Sequence, residues 1–187
     1  AEPNSIYILW ETDNTDESIV NWGLSNSLGS TTSGIAYTSQ GSARVHEVQL
    51  VNLLPSTIYY YQVTTNTATS SIFHFKTPPS PTENQTTRIV AMSDMQKDFF
   101  LPNKFQEIVE EGVIDYFDDQ FGGDIVDNLS LVMIPGDLVP NGNTFSQWKD
   151  DFFNPGEELF TSVPIYPVLG NHEVNAAHYF TYFKMPD

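Results

Sequence analysis

Apolar and polar residues alternate along the first third of the chain. Ile6, Ile8 and Trp10 interleave with Ser5, Tyr7 and Leu9, a period of two that predicts a strand over residues 6–10. The turn-rich stretch Asp13-Asn14-Thr15-Asp16 separates it from a second predicted strand over residues 18–22. Residues 45–50 and 58–64 are further runs rich in β-branched and aromatic side chains, and Phe73-x-Phe75 begins a last one. The run Thr77-Pro78-Pro79-Ser80-Pro81 fits neither a helix interior nor a central strand, and it reads as a linker. Beyond it the texture changes. Short apolar runs at 89–92, 131–134 and 162–169 alternate with helix-like stretches around 104–117 and 144–160. That change predicts two domains of different class, an all-β domain of antiparallel strands over residues 1–79 and an α/β domain over residues 80–187.

Composition narrows the possibilities. Of 187 residues, 40% are apolar and 13% aromatic, enough for two packed cores. No apolar run reaches the ~18 residues of a membrane span. Twenty-four acidic against seven basic residues give a formal net charge of -17, which repels nucleic-acid phosphates. The acids concentrate in the second part, where residues 83–187 carry eighteen acids and five bases, against six and two before it. An anionic substrate therefore needs a bound cation as intermediary. The absence of cysteine excludes disulfides, thiolate zinc sites and Cys nucleophiles.

Candidate chemistry lies at the ends of the three apolar runs of the second domain. The first leads into Ser93-Asp94-Met95-Gln96, the second into Gly136-Asp137-Leu138-Val139, the third into Gly170-Asn171-His172-Glu173. Strand–helix–strand order implies parallel strands whose carboxyl ends share one sheet edge, where ligands bind in such folds. Asp94, Asp137 and Asn171 are then expected to converge, although 43 and 34 residues separate them. Convergent oxygen ligands suit a hard or borderline divalent cation.

Two resemblances follow from these motifs. Leu53-x-Pro55-x-Thr57-x-Tyr59, with Phe73-x-Phe75-x-Thr77-Pro78-Pro79 and Trp10, resembles a fibronectin type III module with its tyrosine corner, in which a Tyr hydroxyl bonds to upstream backbone. Its usual first strand has no counterpart before Ile6. Residues 88–187 resemble the first half of a calcineurin-like metallophosphoesterase domain, an αββα sandwich. With the β-module in front, and with His46-x-Val48-x-Leu50, the chain looks like a bacterial relative of the purple acid phosphatases.

The resemblance implies hydrolysis of a small phosphate ester through in-line attack by a metal-bridging hydroxide. It implies two divalent metal ions (Mn, Zn, Fe or Mg). Asp94 and Gln96 would ligate the first, Asp137 would bridge both, and Asn171 would ligate the second. His172 would act just outside the metals, on the phosphate or the leaving group. Gly136 and Gly170 would give tight turns open to substrate. The relationship also implies a secreted, periplasmic or cell-surface location. Two positions depart from the pattern. Gln96 stands where most relatives have His, and Pro140 stands where purple acid phosphatases have the Tyr that binds ferric iron, so a ferric tyrosinate is not expected. The later ligand histidines of the superfamily are missing after Glu173, where fourteen residues and one His, His178, remain. The chain is therefore expected to be an inactive fragment of a longer enzyme.

Plainer readings exist for each feature. A strand-end Asp often caps a helix. His46 and His74 read as structural or surface residues, and His178 as packing beside Tyr179-Phe180-x-Tyr182-Phe183. The eight acids between Glu107 and Asp127 read as a solvated helix face and loop, with Gly122-Gly123 as a turn. Asn84-Gln85-Thr86 and Asn128-Leu129-Ser130 are formal glycosylation sequons. The functional alternative is a non-catalytic binding module with a degenerate phosphoesterase domain.

Overall fold

Strand β1 (Ser5–Thr12) runs antiparallel to β5 (Arg44–Val51), with Ile8 opposite Val48 and Trp10 opposite His46. The computed structural model describes residues 1–185 and divides the chain into two compact units, Ala1–Gln85 with the segment from Lys184, and Thr86–Phe183.

The first unit is a sandwich of two antiparallel sheets. β4 (Ile35–Thr38) completes the sheet of β1 and β5. The second sheet orders β3 (Ser30–Ser33), β2 (Ile19–Gly23) and β6 (Ile58–Thr65), with β7 (Ala68–Thr69) and β8 (Phe73–Lys76) also paired to β6. The period-two pattern decides what is buried: Ile6 and Ile8 enter a core with Val20, Val48, Leu50 and Phe75, while Tyr7 and Leu9 stay partly exposed. The predicted tyrosine corner forms, because the Leu54 N–H donates to the Tyr59 hydroxyl at 2.9 Å. Thr77 closes the same corner, accepting the Thr57 N–H at 2.9 Å and donating to the Leu54 carbonyl at 2.6 Å. Burial pushes the neighbouring Tyr61 phenol far above its ordinary pKa.

The second unit is built on three parallel strands in the order β11 (Ile165–Pro167), β10 (Leu131–Ile134), β9 (Ile89–Ala91). Met133 lies beside both Ala91 and Tyr166, so the three carboxyl ends line up. The first crossover begins with α1 (Lys104–Glu107), continues through a π-helical stretch (Ile108–Asp115) into α2 (Tyr116–Phe121), and stops at Gly122 and Gly123, whose φ values are 66° and 76°. Both glycines occupy the left-handed region that ends helices without steric cost. α3 (Ile125–Asn128) follows, capped by Asp124, which accepts the Val126 N–H. The second crossover joins α4 (Phe145–Gln147), a π-helical stretch (Trp148–Phe153) and α5 (Asn154–Phe160). Phe105 stacks on Phe152 at 5.9 Å between the two crossovers.

The sheet has unequal faces. Val132 and Ile134 are fully buried, whereas Met133 and Ile89 on the other face are 48% and 50% exposed. The unit thus has one sheet among the described residues, half of the expected two-sheet sandwich. The third strand is shorter than the predicted run 162–169. Ser162 and Val163 donate their N–H groups to the Leu159 carbonyl and complete the last turn of α5 instead.

Candidate metal centre

Each strand end turns sharply. Asp94 and Asp137 have φ values of 58° and 55°, a region uncommon for residues other than glycine and concentrated at functional sites. The loops bond to one another. The Met95 N–H donates to the Asp137 carbonyl at 3.0 Å, and the Ser93 hydroxyl donates to the Gly136 carbonyl at 3.3 Å. The His172 N–H donates to Asp137 Oδ1 at 3.1 Å. First, second and third strand-end loops therefore meet along the sheet edge.

The glycines serve this meeting. A Cβ on Gly136, whose φ is 102°, would lie 2.8 Å from Gly170 Cα, and a Cβ on Gly170 would lie 2.1 Å from Asp137 Oδ1. Only a bare backbone at both positions lets the turns touch and leaves space for the Asp137 carboxylate.

His172 is held by its ring. Nδ1 lies 2.8 Å from the Pro140 carbonyl, which can only accept, so Nδ1 carries a proton and Nε2 is the nitrogen left for chemistry. Pro140 thus contributes its backbone carbonyl to the site. Its neighbours Leu138 and Val139 are fully buried and anchor the loop in the core.

Asp94 and Gln96 line a cavity of about 130 Å³ with Lys97, Asp150 and Asp151. Lys97 pairs with Asp151 at 3.4 Å. Gln96 Oε1 is buried and has no hydrogen-bond partner among the described residues. An unpaired buried acceptor is costly, and a cation or a water would satisfy it. No group of three His, Asp or Glu side chains among the described residues is arranged to hold a metal. Two of the four expected ligands, Gln96 and Asn171, are amides, so only two carboxylates contribute. The donor set, all oxygen with one orphaned amide, fits a hard or borderline divalent cation. Asn171 is exposed. His178 lies 5.6 Å from the Phe145 ring and packs, as expected.

Sequence reasoning missed Glu173. Its side chain is fully buried. Oε2 accepts the N–H groups of Asp137 and Gly170 at 2.9 and 2.7 Å, and Oε1 accepts those of Leu138 and Val139 at 2.8 and 3.3 Å. The one available signal was an acid placed directly after Asn171-His172.

Residues 1–77 match the model of the purple acid phosphatase N-terminal domain, and residues 87–186 match that of the calcineurin-like phosphoesterases. No curated protein sequence matches the chain. Among solved structures, a purple acid phosphatase, PPD1, from yellow lupin (Lupinus luteus) seeds superposes with a TM-score of 0.73 at 20% identity. That match covers 98% of this chain and 39% of the lupin protein. PhoD superposes with a TM-score of 0.58 at 13% identity, over 92% of this chain and 37% of that one. The chain spans about two-fifths of the length of both. At these identities the superpositions establish the fold, and the match over residues 87–186 establishes the family. The chain belongs to the calcineurin-like phosphoesterases, with a purple acid phosphatase-type β-module in front.

Proposed function

We propose that the protein of which this chain forms part hydrolyses small phosphate esters with the help of two divalent cations at the strand ends of residues 94–96, 136–137 and 170–172. The observation that carries the reading is the lacing of those loops, Met95 N–H to the Asp137 carbonyl and His172 N–H to Asp137 Oδ1.

Asp94 and Gln96 would hold the first cation, Asn171 the second, and Asp137 would be shared between them. When bound, such ions supply a nucleophile at neutral pH and offset the charge of the attacking and leaving oxygens. The chain's own residues do the rest. The buried Gln96 Oε1 carries no competing hydrogen bond among the described residues. His172, with Nδ1–H spent on Pro140, presents Nε2. To protonate a departing alcohol from that atom the ring must be the imidazolium, since the Nδ1 proton is engaged. Water would add to phosphorus as the ester P–O bond breaks; the alcohol would leave with the His172 Nε2 proton, and the proton that the water gives up would return to His172 through solvent. With a net charge of -17, the cations would offset the repulsion a phosphate meets near the site. No helix among the described residues is long and apolar enough to cross a membrane. The match to the purple acid phosphatase N-terminal domain is what extends the reading to an exported enzyme.

The test uses the full-length protein, stripped of metal and assayed on p-nitrophenyl phosphate with MnCl2 or with EDTA. Turnover should require the metal, and Asp137→Asn should lower kcat at least ~100-fold, because a neutral amide bridges two cations poorly. Turnover in EDTA, or wild-type turnover by Asp137→Asn, contradicts the proposal. A folded protein with neither metal nor turnover leaves the binding-module alternative.

A further inference from the structure

Glu173 has a place in the fold that no role in hydrolysis has yet used. It is fully buried, and its carboxylate accepts four backbone N–H groups from two loops more than thirty residues apart. Three of them belong to the consecutive residues Asp137, Leu138 and Val139, and the fourth to Gly170. A carboxylate accepts only, with about four lone-pair positions on two oxygens. It matches this cradle, whereas an amide would turn an NH2 group toward N–H donors.

The loop that delivers it is strained and fixed. Val174 and Asn175, which follow directly, have φ values of 45° and 61°. A β-branched residue in that region is an outlier. The conformation is pinned on both sides: the Gly142 N–H donates to the His172 carbonyl at 2.9 Å, and the Ala176 N–H donates to the Glu173 carbonyl at 2.8 Å. Gly142 itself admits no side chain, since a Cβ there would lie 2.5 Å from the Glu173 carbonyl oxygen. Strain over-determined in this way marks a site whose geometry matters more than its local stability.

We infer that Glu173 is a positioning residue that sets the Asp137 carboxylate where two cations can share it. The Glu173 carboxylate holds the Asp137 main chain by accepting the Asp137 N–H, while the His172 N–H holds the side chain by donating to Oδ1. The carboxylate is thereby fixed in place and direction before any cation arrives. The inference rests on the metal reading above and adds to it the group that organises the bridge.

The experiment titrates MnCl2 into metal-free full-length protein, by calorimetry and by the Mn(II) EPR signal, for wild type, Glu173→Gln and Glu173→Asp. Residues that orient metal ligands typically contribute about 10–100-fold in affinity. Glu173→Gln should lose that much Mn(II) affinity and lower kcat on p-nitrophenyl phosphate with KM little changed. Glu173→Asp, which keeps the charge on a shorter arm, should recover part of both. A Glu173→Gln protein that melts lower yet binds Mn(II) as wild type does overturns the inference and makes the residue purely structural. If Glu173→Gln does not fold, Glu173→Asp decides: weakened Mn(II) binding supports the role, while wild-type binding or a second failure to fold overturns it. Wild-type protein that binds no Mn(II) at all removes the metal reading itself, a result separate from any effect of the variants.

Discussion

The His172 backbone N–H donates to Asp137 Oδ1 at 3.1 Å, across 35 residues of sequence. This bond joins the loop after β10 to the loop after β11 through the side chain expected to carry the most chemistry. One carboxylate oxygen is thereby oriented by backbone. A strand-end Asp that only capped a helix would accept from an N–H of its own helix. Asp137 accepts instead from the Asn171-His172 loop, and its own N–H is taken by Glu173 at 2.9 Å.

The same contact predicts the effect of filling Gly170. A Cβ there would lie 2.1 Å from Asp137 Oδ1, so Gly170→Ala must displace the carboxylate. Overpacking of this kind costs ~1–3 kcal/mol of stability, and misplacing a reacting group by ~1 Å can cost ~100-fold in rate. In the full-length protein, Gly170→Ala should melt lower and lose activity beyond what its stability explains. A variant with wild-type kcat would show that the position of Asp137 is unimportant.

Tyr59→Phe isolates the tyrosine corner. It removes the hydroxyl that accepts the Leu54 N–H and keeps the ring that packs against Phe75 at 5.9 Å. Loss of one such bond should destabilise the β-sandwich unit by about 1 kcal/mol. Denaturant unfolding of the chain measures it, and an unchanged midpoint would mean that the corner contributes nothing.

His46 predicts a pH dependence. Its ring is buried, stacks on Trp10 at 4.8 Å, and lies between the Ser18 hydroxyl at Nδ1 and the Thr12 hydroxyl at Nε2, at 2.8 and 2.7 Å. Burial lowers its pKa, and the nearby Asp16 charge opposes that in part. The unfolded chain takes up a proton near pH ~6.5, while the folded unit takes it only at lower pH. Stability from this group is therefore complete above the ordinary imidazole range, and it declines as pH falls from there toward the depressed value. Melting curves between pH 8 and 5 should fall more steeply for wild type than for His46→Asn. Parallel curves would contradict the assignment.

Gln96→His tests the first cation position. Gln96 Oε1 is buried and unpartnered among the described residues, and imidazole is a stronger ligand than an amide for Zn or Mn. The substitution should be tolerated, with Zn(II) affinity in the full-length protein maintained or raised. A large loss of affinity would place Gln96 in a packing role.

Much of the fold was legible because periodicity and punctuation report directly on burial. Ile6 and Ile8 alternate with outward residues and enter the core. Tyr59 sits at the spacing of a tyrosine corner and forms one. Gly122-Gly123 ends a helix. β3 and β4 escaped notice because Ser30–Ser33 is wholly polar, Ile35–Thr38 is only four residues long, and both stay mostly exposed. Asp94, Asp137 and Asn171 could be nominated from strand-end position, since parallel strands bring their carboxyl ends together whatever the spacing. Glu173 was not. Its burial depends on four N–H groups that only the folded loops assemble, and hydrogen bonding across long separations leaves no local pattern. Gly136 and Gly170 were recognised as turn residues, but their closest neighbours are each other and Asp137.

The central claim is that Asp137 is shared by two cations at the edge where the strands end. Crystals of the full-length protein soaked in MnCl2, with anomalous data collected near the manganese edge, test it most directly. The account predicts two anomalous peaks about 3.5–4 Å apart, with Asp137 oxygens about 2.0–2.6 Å from both, one peak also near Gln96 Oε1 and the other near the Asn171 amide. Peaks absent from the Asp137 carboxylate, or a single peak that Asp137 does not touch, would contradict it.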